Sequence, residues 1–94
     1  MTKAEIVSNI SEKTGIEKVT ALAVVEAFMG EVRSSISSNQ SVFLRGFGTF
    51  NPKKRAEKTG RNISKNTTII IPAHHIPAFK PAKVFVKQVK ESLK

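Results

Sequence analysis

The chain contains no cysteine, no tryptophan and no tyrosine. Without cysteine, neither a disulfide framework nor a thiolate metal site can be built. The six aromatic residues are all phenylalanine, and none of them falls within residues 51–78. That stretch therefore has no Phe, Tyr or Trp ring on which unpaired bases could stack, which argues against a reader of single-stranded RNA. Histidine is scarce as well, limited to the adjacent pair His74 and His75. Neighbours on a strand point to opposite faces, so the pair cannot ligate one metal ion or form one catalytic dyad. No two carboxylates stand at a spacing suited to acid–base chemistry, and the serines have no arranged base. An enzyme, a metal site and a cofactor are not expected. No apolar run approaches the roughly 18 residues of a membrane span. The N-terminal MTKAEIVSNISEK has polar and acidic residues too early for a secretory signal, so a site of action inside the cell is expected.

Acidic residues are few. Seven Asp+Glu stand against 16 Lys+Arg, a formal net charge of +9. Such a surplus points to a polyanionic partner, either nucleic acid or an anionic membrane surface. The 94 residues suffice for one small domain.

Thr2 with Glu5 three residues on makes a capping box for a first helix. Ile6, Val7 and Ile10 form its apolar stripe, and Gly15 stands where a terminating glycine belongs. A second helix is expected from about Glu17 to Ser38. Its apolar positions (Leu22, Val25, Met29, Val32 and Ile36, widened by Ala21, Val24 and Phe28) cover more of its circumference than one short helix can shield. SSNQ, at residues 37–40, reads as the exit loop. The period then changes from 3.6 to 2. SVFLRGFGTF predicts two strands about a tight turn at Gly46, Phe47 and Gly48, with Val42, Leu44, Phe47 and Phe50 facing inward. Residues 51–59 read as extended but carry no large apolar side chain, and apolar content returns in TIIIPAHHIPAF. PAKVFVKQVKESLK predicts a short final helix with Pro81 in its first turn and Val84, Phe85 and Val89 on its buried face.

Between the strands lies PKKRAEKTGR, with five basic residues opposed by Glu57 alone. By strand parity Lys53, Arg55 and Arg61 share one face, and Lys54 and Lys58 the other. Both faces are basic, as suits a ribbon lying between two walls of phosphate. Pro52, Pro72 and Pro77 confine these strands to edges, and an isolated two-stranded ribbon is only marginally stable in water.

GFGTF (residues 46–50), RAEKTGRN (55–62), IPA (71–73) and PAFKPAK (77–83) together resemble the bacterial histone-like DNA-bending proteins, HU and integration host factor. The resemblance runs along essentially the whole chain. It implies an α+β fold: an N-terminal helix hairpin, a three-stranded antiparallel sheet with a long β-ribbon arm, and a short C-terminal helix, in an intertwined dimer. Residues 1–94 would be a single domain, with 1–50 and 76–94 as dimer body and 51–75 as arm. The implied function is double-stranded DNA binding and bending by minor-groove arms, largely independent of sequence, in the cytoplasm and on the nucleoid. The implied dimer is a homodimer or a heterodimer with a paralogue, with RNA as a weaker second ligand. The expected DNA contacts are Lys3, Arg45, Lys53, Lys54, Arg55, Lys58, Arg61, Asn62, Ile63, Lys65, Lys80, Lys83 and Lys87. The expected dimer core is Phe28, Met29, Val32, Phe47, Phe50 and Phe79. Glu26 matches a family position near Lys3. Ile63 stands where the family usually has proline, the tip lacks the usual glycine, and Val86 replaces a common lysine. Ile63 is nevertheless the expected wedge between base pairs, since isoleucine is among the side chains used in that way. The alternatives are a site-preferring bender like integration host factor and a small structural RNA-binding protein of ribosomal type.

Overall fold

The computed structural model describes the backbone over residues 1–62 and 67–93 and side-chain surroundings over residues 1–60 and 70–93. Two compact units form, Met1–Ser34 and Ser35–Lys94. Among the described residues no helix is long and apolar enough to cross a membrane.

The first unit is a helix hairpin. Helix α1 spans Lys3–Thr14 and α2 spans Lys18–Ser37, its last turn entering the second unit. Thr2 caps α1 as its spacing predicts: Thr2 Oγ1 accepts from the Glu5 N–H at 3.3 Å. The reciprocal bond differs from a full capping box, because the Glu5 carboxylate accepts from the Thr2 hydroxyl at 3.4 Å. Gly15 closes α1, its N–H donating to the Ser11 carbonyl at 2.9 Å. At the end of α2, Gln40 donates to Ser35 O and Asn39 to Ile36 O. Asn39 has φ 61. This is the crossed pair of bonds of a Schellman motif, so the SSNQ loop is a helix terminator.

Only Val7 and Ala21 are buried among the described large and small hydrophobic residues. Ile10, Val25, Met29, Val32 and Ile36 are half-buried. Ile6, Leu22 and Phe28 are exposed, and Val24 is 61% exposed. The breadth of the α2 stripe is thus real, and this chain alone does not cover it.

The second unit is built on strands β1 (Val42–Leu44), β2 (Gly48–Arg55), β3 (Lys58–Asn62), β4 (Thr67–Ile71) and β5 (His74–Pro81), followed by α3 (Lys83–Ser92). β1, β2 and β5 form an antiparallel sheet in that order, and β3 and β4 form a separate two-stranded ladder. β1 reaches along β2 only as far as Val42 opposite Phe50. From Asn51 outward β2 pairs with β5 alone.

The turn departs from expectation. Residues 45–47 form it, closed by the Phe47 N–H donating to Leu44 O at 2.9 Å. Gly46 supplies the positive φ of 81° at its third position. Gly48 belongs to β2, opposite both Leu44 and Pro81. It is buried, and glycine is needed there for space: a Cβ would come within 2.6 Å of both the Lys80 carbonyl oxygen and the Phe79 ring. That ring belongs to a cluster. Phe79 lies 4.8 Å from Phe50 and 5.2 Å from Phe47 between centroids, and Phe47 stacks on Phe85 at 5.4 Å.

Helix α3 also differs from its prediction. Pro81 ends β5 instead of opening the helix, and Ala82 is the N-cap without a side-chain bond. The Ala82 N–H donates to Phe47 O at 2.9 Å, which fixes the helix start beside the turn. Phe85 is the residue turned to the aromatic cluster. Val84 is 68% exposed, and Val89 is exposed as well. A helix this short turns one narrow stripe to the sheet, and Phe85 occupies it.

Candidate nucleic-acid interface

The ribbon is continuous in register although its ladder is interrupted. Arg55 pairs with His74 and Lys58 with Ile71. Two residues on each side, 56–57 and 72–73, separate these rungs, so no bulge shifts the pairing. Pro72 lies within the gap and has no N–H to donate. Pro52 and Pro77 stand directly opposite each other, which confines two missing donors to one rung. Among the described residues the outer ladder, β3 with β4, has no third strand on either edge.

On this frame Lys53, Lys54, Arg55 and Lys58 are all exposed. Their cross-strand partners are Ile76, His75, His74 and Ile71, none of them acidic. Opposed residues share a face, so Arg55 with His74 lies on one face and Lys54 with His75 on the other. The histidines are separated as expected. His74 Nδ1 lies 2.9 Å from the Pro72 carbonyl oxygen, to which it can only donate. Among the described residues no cluster of metal-ligating side chains forms, and one ion pair forms, Lys3 Nζ to Glu26 Oε1 at 2.9 Å. The ribbon's cations are therefore uncompensated among the described residues, whereas Lys3 already has a partner. Both members of that pair are half-exposed.

The remaining sequence-predicted residues are placed as follows. Arg45 is exposed in the β1–β2 turn, Lys80 is exposed on β5, and Lys83 and Lys87 are exposed on α3. Arg61 and Asn62 lie on β3, opposite Thr68 and Thr67, and their side chains fall outside the described surroundings. Ile63 and Lys65 lie outside the described residues. Of the dimer-core candidates, Phe28, Phe47 and Phe79 are exposed, while Met29, Val32 and Phe50 are half-buried. Phe43, on β1, is 79% exposed; strand alternation puts it on the face opposite Val42 and Leu44, and it was not singled out from the sequence. An apolar groove of about 320 Å³ runs between β5 and α3, lined by Phe79, Pro81, Phe85, Val86, Val89 and Lys90.

Comparison with known proteins agrees with this architecture. The family profile described as bacterial DNA-binding protein matches residues 1–90. The DNA-binding protein HU of Thermus thermophilus is 37% identical over 91 residues, covering 97% of this chain and 94% of the relative. Integration host factor subunit alpha of Pseudoalteromonas atlantica is 36% identical over 92 residues, covering 98% and 94%. Among solved structures, a chain of the Anabaena HU–DNA cocrystal superposes with a TM-score of 0.91 at 37% identity, covering 95% of this chain and 97% of that one. The chain belongs to the family of bacterial DNA-binding proteins, with HU and integration host factor subunits as its relatives.

Proposed function

We propose that this chain binds double-stranded DNA largely without regard to sequence, bends it, and acts as a dimer in organising the nucleoid. One observation carries the reading: a two-stranded ribbon, basic on both faces, with no acidic partner among the described residues and no third strand along its outer ladder. Among the described residues nothing forms an ion pair that would neutralise such a ribbon. A duplex groove supplies phosphates along both walls. The Thermus relative is a DNA-binding protein by name, and the Anabaena HU structure is a cocrystal with DNA; the role is architectural, without catalysis.

In this reading residues 51–75 are the arm, and residues 1–50 and 76–94 are the body. Lys53, Lys54, Arg55, Lys58, Arg61, Asn62 and Lys65 neutralise phosphates along the arm. Lys3, Arg45, Lys80, Lys83 and Lys87 meet the duplex where it wraps the body. Ile63, which lies outside the described residues, is the proposed wedge that enters between base pairs and kinks the duplex. Dimerisation accounts for the exposure of Val24, Phe28, Phe47 and Phe79. So much apolar surface on a small domain marks an interaction site. Phe28, Met29, Val32, Phe47, Phe50 and Phe79 form the shared core.

Titration of unrelated duplexes at several salt concentrations tests the DNA reading. For about six to ten phosphates contacted, affinity falls by about a thousandfold or more between low and moderate salt. A flat salt dependence, or one sequence preferred by several kcal/mol, contradicts it. Duplex DNA in competition with structured RNA separates this reading from a ribosomal-type role.

A further inference from the structure

The arm's two strands are chemically unlike. The residues of β2 and β3 include Lys53, Lys54, Arg55 and Lys58, whereas β4 reads TTIII and carries no charge. Register places Ile70 opposite Thr59 and Ile71 opposite Lys58, so each face of the outer ladder presents an isoleucine. Ile70 is 64% exposed and Ile71 42%. A two-stranded ladder has no core of its own, and among the described residues no third strand lies along its edges. Whatever covers Ile70 must also accept cations one or two rungs away. Nucleic acid does both, because apolar sugar surface alternates with phosphate along each groove wall.

We propose that Ile70 makes the arm select deoxyribose over ribose. The proposal rests on the DNA-binding reading above and names the feature of the duplex that the return strand recognises. An isoleucine pressed against a groove wall removes water from the sugars it touches. Against deoxyribose that desolvation is favourable. Against ribose it strips water from a 2′-hydroxyl without offering a hydrogen bond, which is costly. The 2′-hydroxyl is the group by which a protein distinguishes RNA from DNA at a given site. Thr59, on the same rung and face, carries a hydroxyl that stays unchanged in every variant below.

The test uses the full chain and two probes of one sequence, a short DNA duplex and the corresponding DNA–RNA hybrid. The parent binds DNA more tightly than the hybrid. Ile70→Thr keeps the β-branch that suits a strand and adds a hydroxyl. It narrows the DNA-to-hybrid ratio by about three- to tenfold, and Ile70→Val leaves the ratio near the parent's. Ile70→Lys replaces the apolar contact by a charge and steepens the salt dependence on DNA by about one unit of log–log slope per arm. The different groove shapes of the two probes act on every variant alike and cancel between variants. If Ile70→Thr binds DNA and shows the parent's ratio, the inference is overturned while the DNA-binding reading stands. If the parent binds neither probe, both fall together.

Discussion

Gly48 offers the sharpest test of the packing described above. Replacing it by alanine adds one methyl group. That Cβ would sit 2.6 Å from the Lys80 carbonyl oxygen and 2.6 Å from both Cε1 and Cζ of Phe79. Carbon atoms in good contact lie about 3.5–4.0 Å apart, so the ring must retreat by about 1 Å. It has little room: Phe50 and Phe47 stand 4.8 and 5.2 Å away between centroids, and Phe85 stands 6.4 Å away. The carbonyl cannot yield without disturbing the rung between Thr49 and Lys80. Overpacking of this kind costs about 1–3 kcal/mol, and two stiff neighbours place Gly48→Ala near the upper end. Alanine lowers the entropy of the unfolded chain and returns about 0.4–1 kcal/mol. The net loss is about 2 kcal/mol per site, a fall in Tm of about 8–16 °C for a domain of this size. Thermal melts of parent and variant at equal protein concentration measure it. A Tm within about 2 °C of the parent would refute the argument that space dictates glycine here.

Three further outcomes follow from other parts of the molecule. Phe47→Ala removes the contacts with Phe79 and Phe85 and, if the partner chain covers this ring, costs about 3–5 kcal/mol; sedimentation at micromolar concentration should show dimer giving way to monomer, and an unchanged dimer counts against the interface. Glu26→Ala releases Lys3 from its ion pair, changing stability by less than about 1 kcal/mol because both groups are half-exposed. It should tighten DNA binding a few-fold, whereas unchanged binding would mean that Lys3 does not reach phosphate. Ile63→Ala should retain most of the affinity and lose much of the bend, as judged by ring closure of short DNA; a variant that bends DNA like the parent rules out the wedge.

How much of this could be read in the sequence depended on how local each cause is. The change of period from 3.6 to 2 marked helices and strands, and Thr2 and Gly15 marked the ends of α1, because capping involves neighbours in the chain. The basic ribbon was legible for the same reason: Lys53 to Lys58 carry their charge whatever the fold does. The ribbon's interruption was only half legible. Pro72 announces it on one strand, but residues 56–57 contain no breaker and are set apart only by their register opposite Pro72 and Ala73. Gly48 looked like a turn residue because it follows Gly46 and Phe47; its real constraint is a ring on β5, far along the chain. Val84 looked buried because it lies in an apolar stripe, yet the orientation of α3 is set by Phe85 meeting Phe47 and by the Ala82 bond to the turn. The Lys3–Glu26 pair depends on how α1 and α2 lie against each other, which no spacing along the chain encodes.

Energy transfer between dyes at the two ends of a short duplex tests the central claim most directly, because one titration reports both binding and bending. At low salt the account predicts a saturable rise in transfer, similar on unrelated sequences and reversed by added salt as phosphate contacts are lost. Saturated binding with no change in end-to-end distance would contradict it.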